Sequence, residues 1–207
     1  MEDILEVYKK PYDSKKPVVC MDESSQQQTR EVRTKIAAKP GVRERYDTEY
    51  ERNGVSNLFM FFEPLTGQRE VRVTERRTAV DWAKQIRQLV ESYPEAERII
   101  LVMDNLNTHA AASLYKAYQP EEAQHLLNKL EIHYTPKHGS WLNMAEIEFS
   151  ILSRQCLAQR IPDRETLQRE VSAWTHQRNQ HSKPMQWRFT TQDARIRLKH
   201  LYPSIQL

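Results

Sequence analysis

Ile99-Ile100-Leu101-Val102-Met103-Asp104 is a run of five apolar residues closed by an acid. Val18-Val19-Cys20-Met21-Asp22, near the start of the chain, repeats the pattern. Runs this short read as buried strands rather than helices. An acid at the end of such a strand stands at the mouth of a sheet, where a ligand reaches it. A third acid, Glu146, follows Trp141-Leu142-Asn143-Met144-Ala145 at the start of an amphipathic stretch.

Between these runs the order of elements is legible. A short helix carries Ile4, Leu5, Val7 and Tyr8. The first strand spans 17 to 22, and a charged hairpin or loop runs from Arg30 to Asn53 with a turn at Lys39-Pro40-Gly41. The aromatic-rich stretch 57–63 reads as a strand, turned at Pro64-Leu65-Thr66-Gly67 into a partner over 68–74. Thr78-Ala79-Val80-Asp81 has the form of a capping box with Asp for Glu, opening a helix that stops before Pro94. The fourth strand covers 98–103. Helix follows from about Ala110, is interrupted at Pro120 and resumes to Leu130. Ile132-His133-Tyr134 is a short fifth strand, Ser140 is a cap for the next helix, and Asp163 and Thr190 open two more. Three early strands joined by turns predict antiparallel pairing, and later strands alternating with helices predict parallel pairing. The fold class expected is α/β: a ribonuclease-H-like mixed five-stranded sheet flanked by helices. The division expected is a linker helix at 1–16, the catalytic domain at 17–160 and a helical extension at 161–207.

Composition bounds the function. The 207 residues are 39% hydrophobic and 29% charged, with a net charge of +3, the balance of a globular chain. No run is long and apolar enough for a membrane span, and the N-terminus lacks the pattern of a secretory signal. Cys20 and Cys156 sit in apolar contexts and read as buried free thiols. Local charge says more than net charge. Arg30, Arg33, Lys35, Lys39, Arg43 and Arg45 lie close together with only two acids among them. Alone such a run is a solvated face; beside an acid triad it is a candidate phosphate-backbone contact, here assigned to Arg33, Lys35, Lys39 and Arg43.

Three converging carboxylates repel and raise one another's pKa. A divalent cation removes that cost, and Mg²⁺ is typically held by carboxylates together with substrate phosphate. Asp22, Asp104 and Glu146 are therefore candidate metal ligands for phosphoryl transfer on nucleic acid. Asp22 and Asp104 each have a plainer reading, because Asp at a strand end is commonly a turn residue. Glu23 is expected to point away from Asp22, because side chains alternate along a strand. Glu148 competes with Glu146, but at about 100° per residue the two lie some 200° apart on a helix. Helix phase does not choose between them.

Val18-Val19-Cys20-Met21-Asp22-Glu23-Ser24, Leu101-Val102-Met103-Asp104-Asn105-Leu106-Asn107-Thr108-His109 and Pro136-Lys137-His138-Gly139-Ser140-Trp141-Leu142-Asn143-Met144-Ala145-Glu146 together resemble the catalytic domain of mariner-type bacterial insertion-sequence transposases, in the DDE transposase and integrase superfamily. The last segment is similar to that family's Pro-x-x-Ser-Pro-x-Leu-Asn-Pro-Ile-Glu pattern, with Leu142, Asn143 and Glu146 in register. That register selects Glu146 and leaves Glu148 a solvated or supporting acid. Met144-Ala145 stands where the pattern has Pro-Ile, and the segment 110–131 is longer than the family's short spacing.

The resemblance implies DNA end cleavage and strand transfer at two Mg²⁺ ions, with Mn²⁺ as substitute. Asp22 bridges both ions, and Asp104 and Glu146 each complete one. It implies Asn105, His109, His138 and Asn143 as supporting residues around the ligands, transposon ends and a TA target as DNA partners, a homodimer on DNA, and a bacterial cytoplasmic, nucleoid-associated setting. Helix-turn-helix readers precede the catalytic domain in such transposases. None is visible here, so the chain is expected to be the catalytic part. A ribonuclease H or resolvase-like nuclease uses the same acids and stays open as an alternative, as does an inert DNA-binding module derived from a transposase.

Overall fold

The computed structural model describes residues 1–202 except 34, 35, 44, 46, 47 and 138, and the side chain of Leu201. Helix α1 (Glu2–Lys9) precedes β1 (Val18–Glu31), β2 (Tyr50–Glu63), β3 (Gln68–Thr74), α2 (Ala79–Ser92), β4 (Ile99–Met103), α3 (Ala111–Ala117), α4 (Pro120–Asn128) and β5 (Leu130–Tyr134). A 3₁₀ turn (Ser140–Leu142) then leads into α5 (Met144–Gln155), α6 (Arg164–Gln180) and α7 (Thr191–Arg197). The strands form one sheet in the order β3-β2-β1-β4-β5. β1 pairs antiparallel with β2, as β2 does with β3, while β4 is parallel to both β1 and β5.

Side-chain alternation along the central strands builds two cores. Val18 and Cys20 of β1, Leu58, Met60 and Phe62 of β2, and Ile100 and Val102 of β4 face α1, α5, α6 and α7. Val19, Met21, Phe59, Phe61, Ile99, Leu101 and Met103 face α2, α3 and α4. Both faces being covered explains why β4 is apolar at every position. The end segments belong to the same core: Ile4, Leu5 and Val7 of α1, Leu167, Val171 and Trp174 of α6, and Ala194 of α7 are all buried in it. Both cysteines are buried and free, and among the described residues no helix is long and apolar enough to cross a membrane.

Three boundaries differ from the sequence reading, the smallest being that α4 ends at Asn128 and β5 begins at Leu130, a residue expected in the helix. β1 and β2 are 14 residues each, paired from Cys20↔Phe62 out to Glu31↔Tyr50 with an irregularity between Gln27 and Thr29. Their outer halves are polar on both sides, so no hydrophobic alternation announces them; cross-strand pairing holds them instead. Beyond, Ile36 bridges Arg45, and Lys39 and Val42 close a turn over Pro40-Gly41 with Gly41 at φ +78°, as a type II turn requires. The second difference is the cap of α5. It is Asn143, whose side chain accepts from Ala145 N, and Ser140 instead opens the 3₁₀ turn. The expected caps Thr78, Asp163 and Thr190 are in place, the first and last as full capping boxes with Asp81 and Asp193.

Candidate active site

The parallel register places two of the acids level with each other. Cys20 pairs with Val102, and two residues further on each strand reaches its acid, Asp22 and Asp104. Neighbouring strands lie about 4.8 Å apart, so the two carboxylates leave the sheet side by side. Glu146 arrives from α5. Asn143 donates from Nδ2 to the carbonyl of Met21 at 2.8 Å while its Oδ1 caps the helix. One buried amide thus ties the start of α5 to the residue before Asp22 and puts Glu146 in the helix's first turn, facing the same end of the sheet. Tyr8 adds a second tie, donating to the carbonyl of Leu142 at 2.7 Å.

The carboxyl of Asp22 is pushed up to about 7, by burial first and then by the charges of Asp104, Glu146 and Glu23, against a hydrogen bond from Glu23 N at 2.8 Å. The three acids from three elements therefore act on one another. They do not form a closed ligand cage: among the described residues no group of three His, Cys, Asp or Glu is drawn together tightly enough to enclose an ion. Asp104 is in addition engaged by His109.

His109 is buried in the loop after β4, not half-exposed on a helix. Its Nε2 lies 2.8 Å from Glu23 Oε1, and its Nδ1 lies 2.6 Å from Asp104 Oδ1 and 3.2 Å from the Asp104 carbonyl. Trp82 stacks on the ring at 5.7 Å between centroids. Burial alone would lower the imidazole pKa, but the contacts with Asp104 and Glu23 override it and raise it to about 9. The ring thus lies between two carboxylates, its Nε2 against Glu23 and its Nδ1 against the carbonyl and Oδ1 of Asp104. Glu23 does point away from Asp22, into the core side that holds Trp82. Sequence spacing does not reveal its pairing with His109, although a carboxylate on an apolar strand face must find a partner.

Asn105 is exposed and lines a cavity of about 740 Å³ with Asp104, Tyr134, Thr135, Lys137 and Ser140, among others. His138 lies outside the described residues. Glu148 is not a solvated acid. It is fully buried and paired with Arg178 at 2.8 and 2.9 Å and with Arg69 at 3.0 Å, on the flank of α5 away from Asp22. Both arginines lie far from it in sequence, which is why helix phase alone does not show them. In the basic hairpin, Arg33, Lys39 and Arg43 are exposed, with Arg33 4.0 Å from Glu49; Lys35 lies outside the described residues.

A mixed sheet of this order, with Asp22 and Asp104 just past the paired stretch of β1 and β4 and Glu146 on the helix after β5, defines a ribonuclease-H-like fold; Asp22 lies within β1 and not at its end, because the strand runs on to Glu31. The family model of the DDE superfamily endonucleases matches residues 17–168, so the chain belongs to that family. Among solved structures, a Mos1 transposase paired-end complex with the left transposon end matches with a TM-score of 0.58 at 16% identity, over 84% of this chain and 53% of that one. The Mos1 strand transfer complex matches at 0.57 and 16% identity, covering 87% and 56%. The catalytic domain of Mos1 mariner transposase matches at 0.54 and 15% identity, covering 84% and 76%. This chain thus spans about half the length of the Mos1 chains in those two complexes. No curated protein sequence matches.

Proposed function

We propose that the chain is the catalytic part of a DNA transposase, cleaving transposon ends and joining them to target DNA with divalent cations held by Asp22, Asp104 and Glu146. One observation carries the reading: Asp22, buried near the sheet end and within reach of the charges of Asp104 and Glu146, is held up to about 7, by burial first and by those charges next. A fold keeps such a cost where a cation offsets it in use. The donor set is all carboxylate oxygen, which suits Mg²⁺ or Mn²⁺ and not zinc. A bound pair of such ions supplies an activated nucleophile and stabilises the leaving oxygen of an in-line displacement.

The rest falls to the chain's own groups. Asp22 is central, reached from both sides by Asp104 and Glu146. Asn143 sets the distance of Glu146 from β1. His109, braced by Glu23 and Trp82, holds the Asp104 carboxylate in one orientation, as supporting groups do around metal ligands. Arg33, Lys39 and Arg43, exposed on the hairpin, are contacts to phosphate, and Lys35 is assigned with them from the sequence alone. Mos1 structures with transposon-end DNA and with Mn support these assignments by the shared fold. A homodimer on DNA, a TA target and a bacterial cytoplasmic setting complete the proposal.

The test is nicking of a labelled transposon-end duplex in Mg²⁺ or Mn²⁺, alongside an RNA–DNA hybrid of the same sequence. Metal-dependent cleavage of the duplex and joining to a plasmid is the expected result. Cleavage of the hybrid alone would reassign the chain to the ribonuclease H class.

A further inference from the structure

Trp141 is 42% exposed, unusual for the largest side chain unless its face is used. The ring is held rather than loose. Trp187 stacks on it at 6.2 Å and 26°, and Phe189 meets it edge-on at 5.8 Å. Its turn is pinned on both sides of Leu142, by Tyr8 at the Leu142 carbonyl and by Asn143 at the Met21 carbonyl. The indole is therefore fixed relative to β1, through a residue adjacent to Asp22.

Two cavities meet at this turn. The one of about 740 Å³ reaches Asp104 and Ser140, and one of about 390 Å³ is lined by Trp141, Leu142, Pro136 and Gly139. Pro136 and Lys137 line both. The acid at the rim of the second cavity, Glu2, is neutralised by Arg195 at 2.7 and 2.8 Å. An aromatic wall in one cavity, a lysine lining both and Asp104 in the other repeat the order of a nucleotide strand: base, phosphate, next phosphate.

We infer that Trp141 and Lys137 form a subsite for an unpaired nucleobase and its phosphate, beside the phosphate held at the acids. The inference rests on the transposase reading and adds to it that a base flanking the cut is taken out of the duplex. A flat π-face accepts any base, so the subsite favours unpaired over paired DNA without reading sequence.

The experiment measures binding without metal, in chelator, of a single-stranded oligodeoxynucleotide and of an abasic strand of equal length. The wild-type chain is expected to bind the strand with bases at least about fivefold more tightly, the lower end of the range for stacking one base. Trp141→Ala should abolish that preference while leaving the abasic strand's affinity unchanged, and Trp141→Tyr should retain most of it. Lys137→Gln should weaken both strands alike and lower the salt slope by about 0.7, the value for one phosphate of a single strand. Equal wild-type affinity for the two strands overturns the subsite. A Trp141→Ala variant that keeps the base preference but loses self-association overturns it in favour of a protein interface. Both results leave duplex cleavage intact, so they are distinct from failure of the transposase reading, in which no metal-dependent cleavage occurs at all.

Discussion

Glu146 and Glu148 stand two residues apart on α5, and the fold treats them in opposite ways. Glu148 is enclosed, its carboxylate shared by Arg69 and Arg178. Glu146 is half-buried at the sheet end, where its charge acts on Asp22. One acid is paired with two arginines inside the protein; the other belongs to a group in which Asp104 meets His109 and Asp22 meets no cationic side chain among the described residues. The first arrangement holds β3, α5 and α6 together. The second is the arrangement that the proposed cation site rests on.

The largest effects expected are on chemistry. Asp22→Ala, Asp104→Ala or Glu146→Ala should each bring metal-dependent nicking to background while the circular dichroism spectrum stays native, since none fills a core position. Retained activity in any one of them removes that acid from the ligand set.

Glu148→Ala should act on stability instead. Removing one partner of a buried ion pair costs about 3–5 kcal/mol, read as a lower urea midpoint, and activity should track the folded fraction. A variant as stable as wild type would show that the arginines are satisfied without Glu148.

The pH dependence separates the clusters further. Asp22 has a folded pKa of about 7 against 3.8 for the free group, so the native state binds more protons in that window. Metal-free stability should fall as pH rises from about 4 to about 7. His109, raised to about 9 from 6.5, contributes stability present below 6.5 and lost as pH rises through about 9. Asp22→Asn should flatten the first slope, leave the second and raise the metal-free melting temperature slightly. Denaturation midpoints across pH measure both limbs, and an unchanged first limb in Asp22→Asn would assign it to another group.

The smallest effect is on DNA affinity. Neutralising Arg33, Lys35, Lys39 and Arg43 together should weaken binding nearly independently of sequence. It should also reduce the slope of log K against log salt, by about 0.9 for each phosphate that no longer meets a cationic side chain. An unchanged slope would make the hairpin a solvated surface.

How much of this was legible in the sequence follows from the kind of signal each part leaves. Ile99–Met103 and the first residues of β1 are apolar at every position, so strands, order and the acid closing each apolar run could be read directly, although Asp22 lies within a longer β1 and not at its end. The capping residues Thr78, Asp163 and Thr190 could be read because their chemistry is local. The outer halves of β1 and β2 left no hydrophobic pattern, because residues such as Ser25, Gln26 and Gln27 are paired across the hairpin and not packed. The cap of α5 reads as Ser140 in the sequence because Asn143 does two jobs, and only one of them is local. Glu148 with Arg178, and His109 with Glu23, join residues 30 and 86 positions apart. No local spacing carries such pairs.

The central claim is that the acid group at the sheet end is a cation site centred on Asp22. A thermal-shift titration with Mn²⁺ on wild type, Asp22→Asn and Lys39→Gln tests it most directly. A cation that binds only the folded state stabilises it by about 2.7 kcal/mol at a hundred times its dissociation constant. Wild type and Lys39→Gln should therefore rise in melting temperature with Mn²⁺, and Asp22→Asn should start slightly higher and respond little. Equal responses in wild type and Asp22→Asn would contradict the account, because Asp22 would then be a strand acid and not a principal ligand.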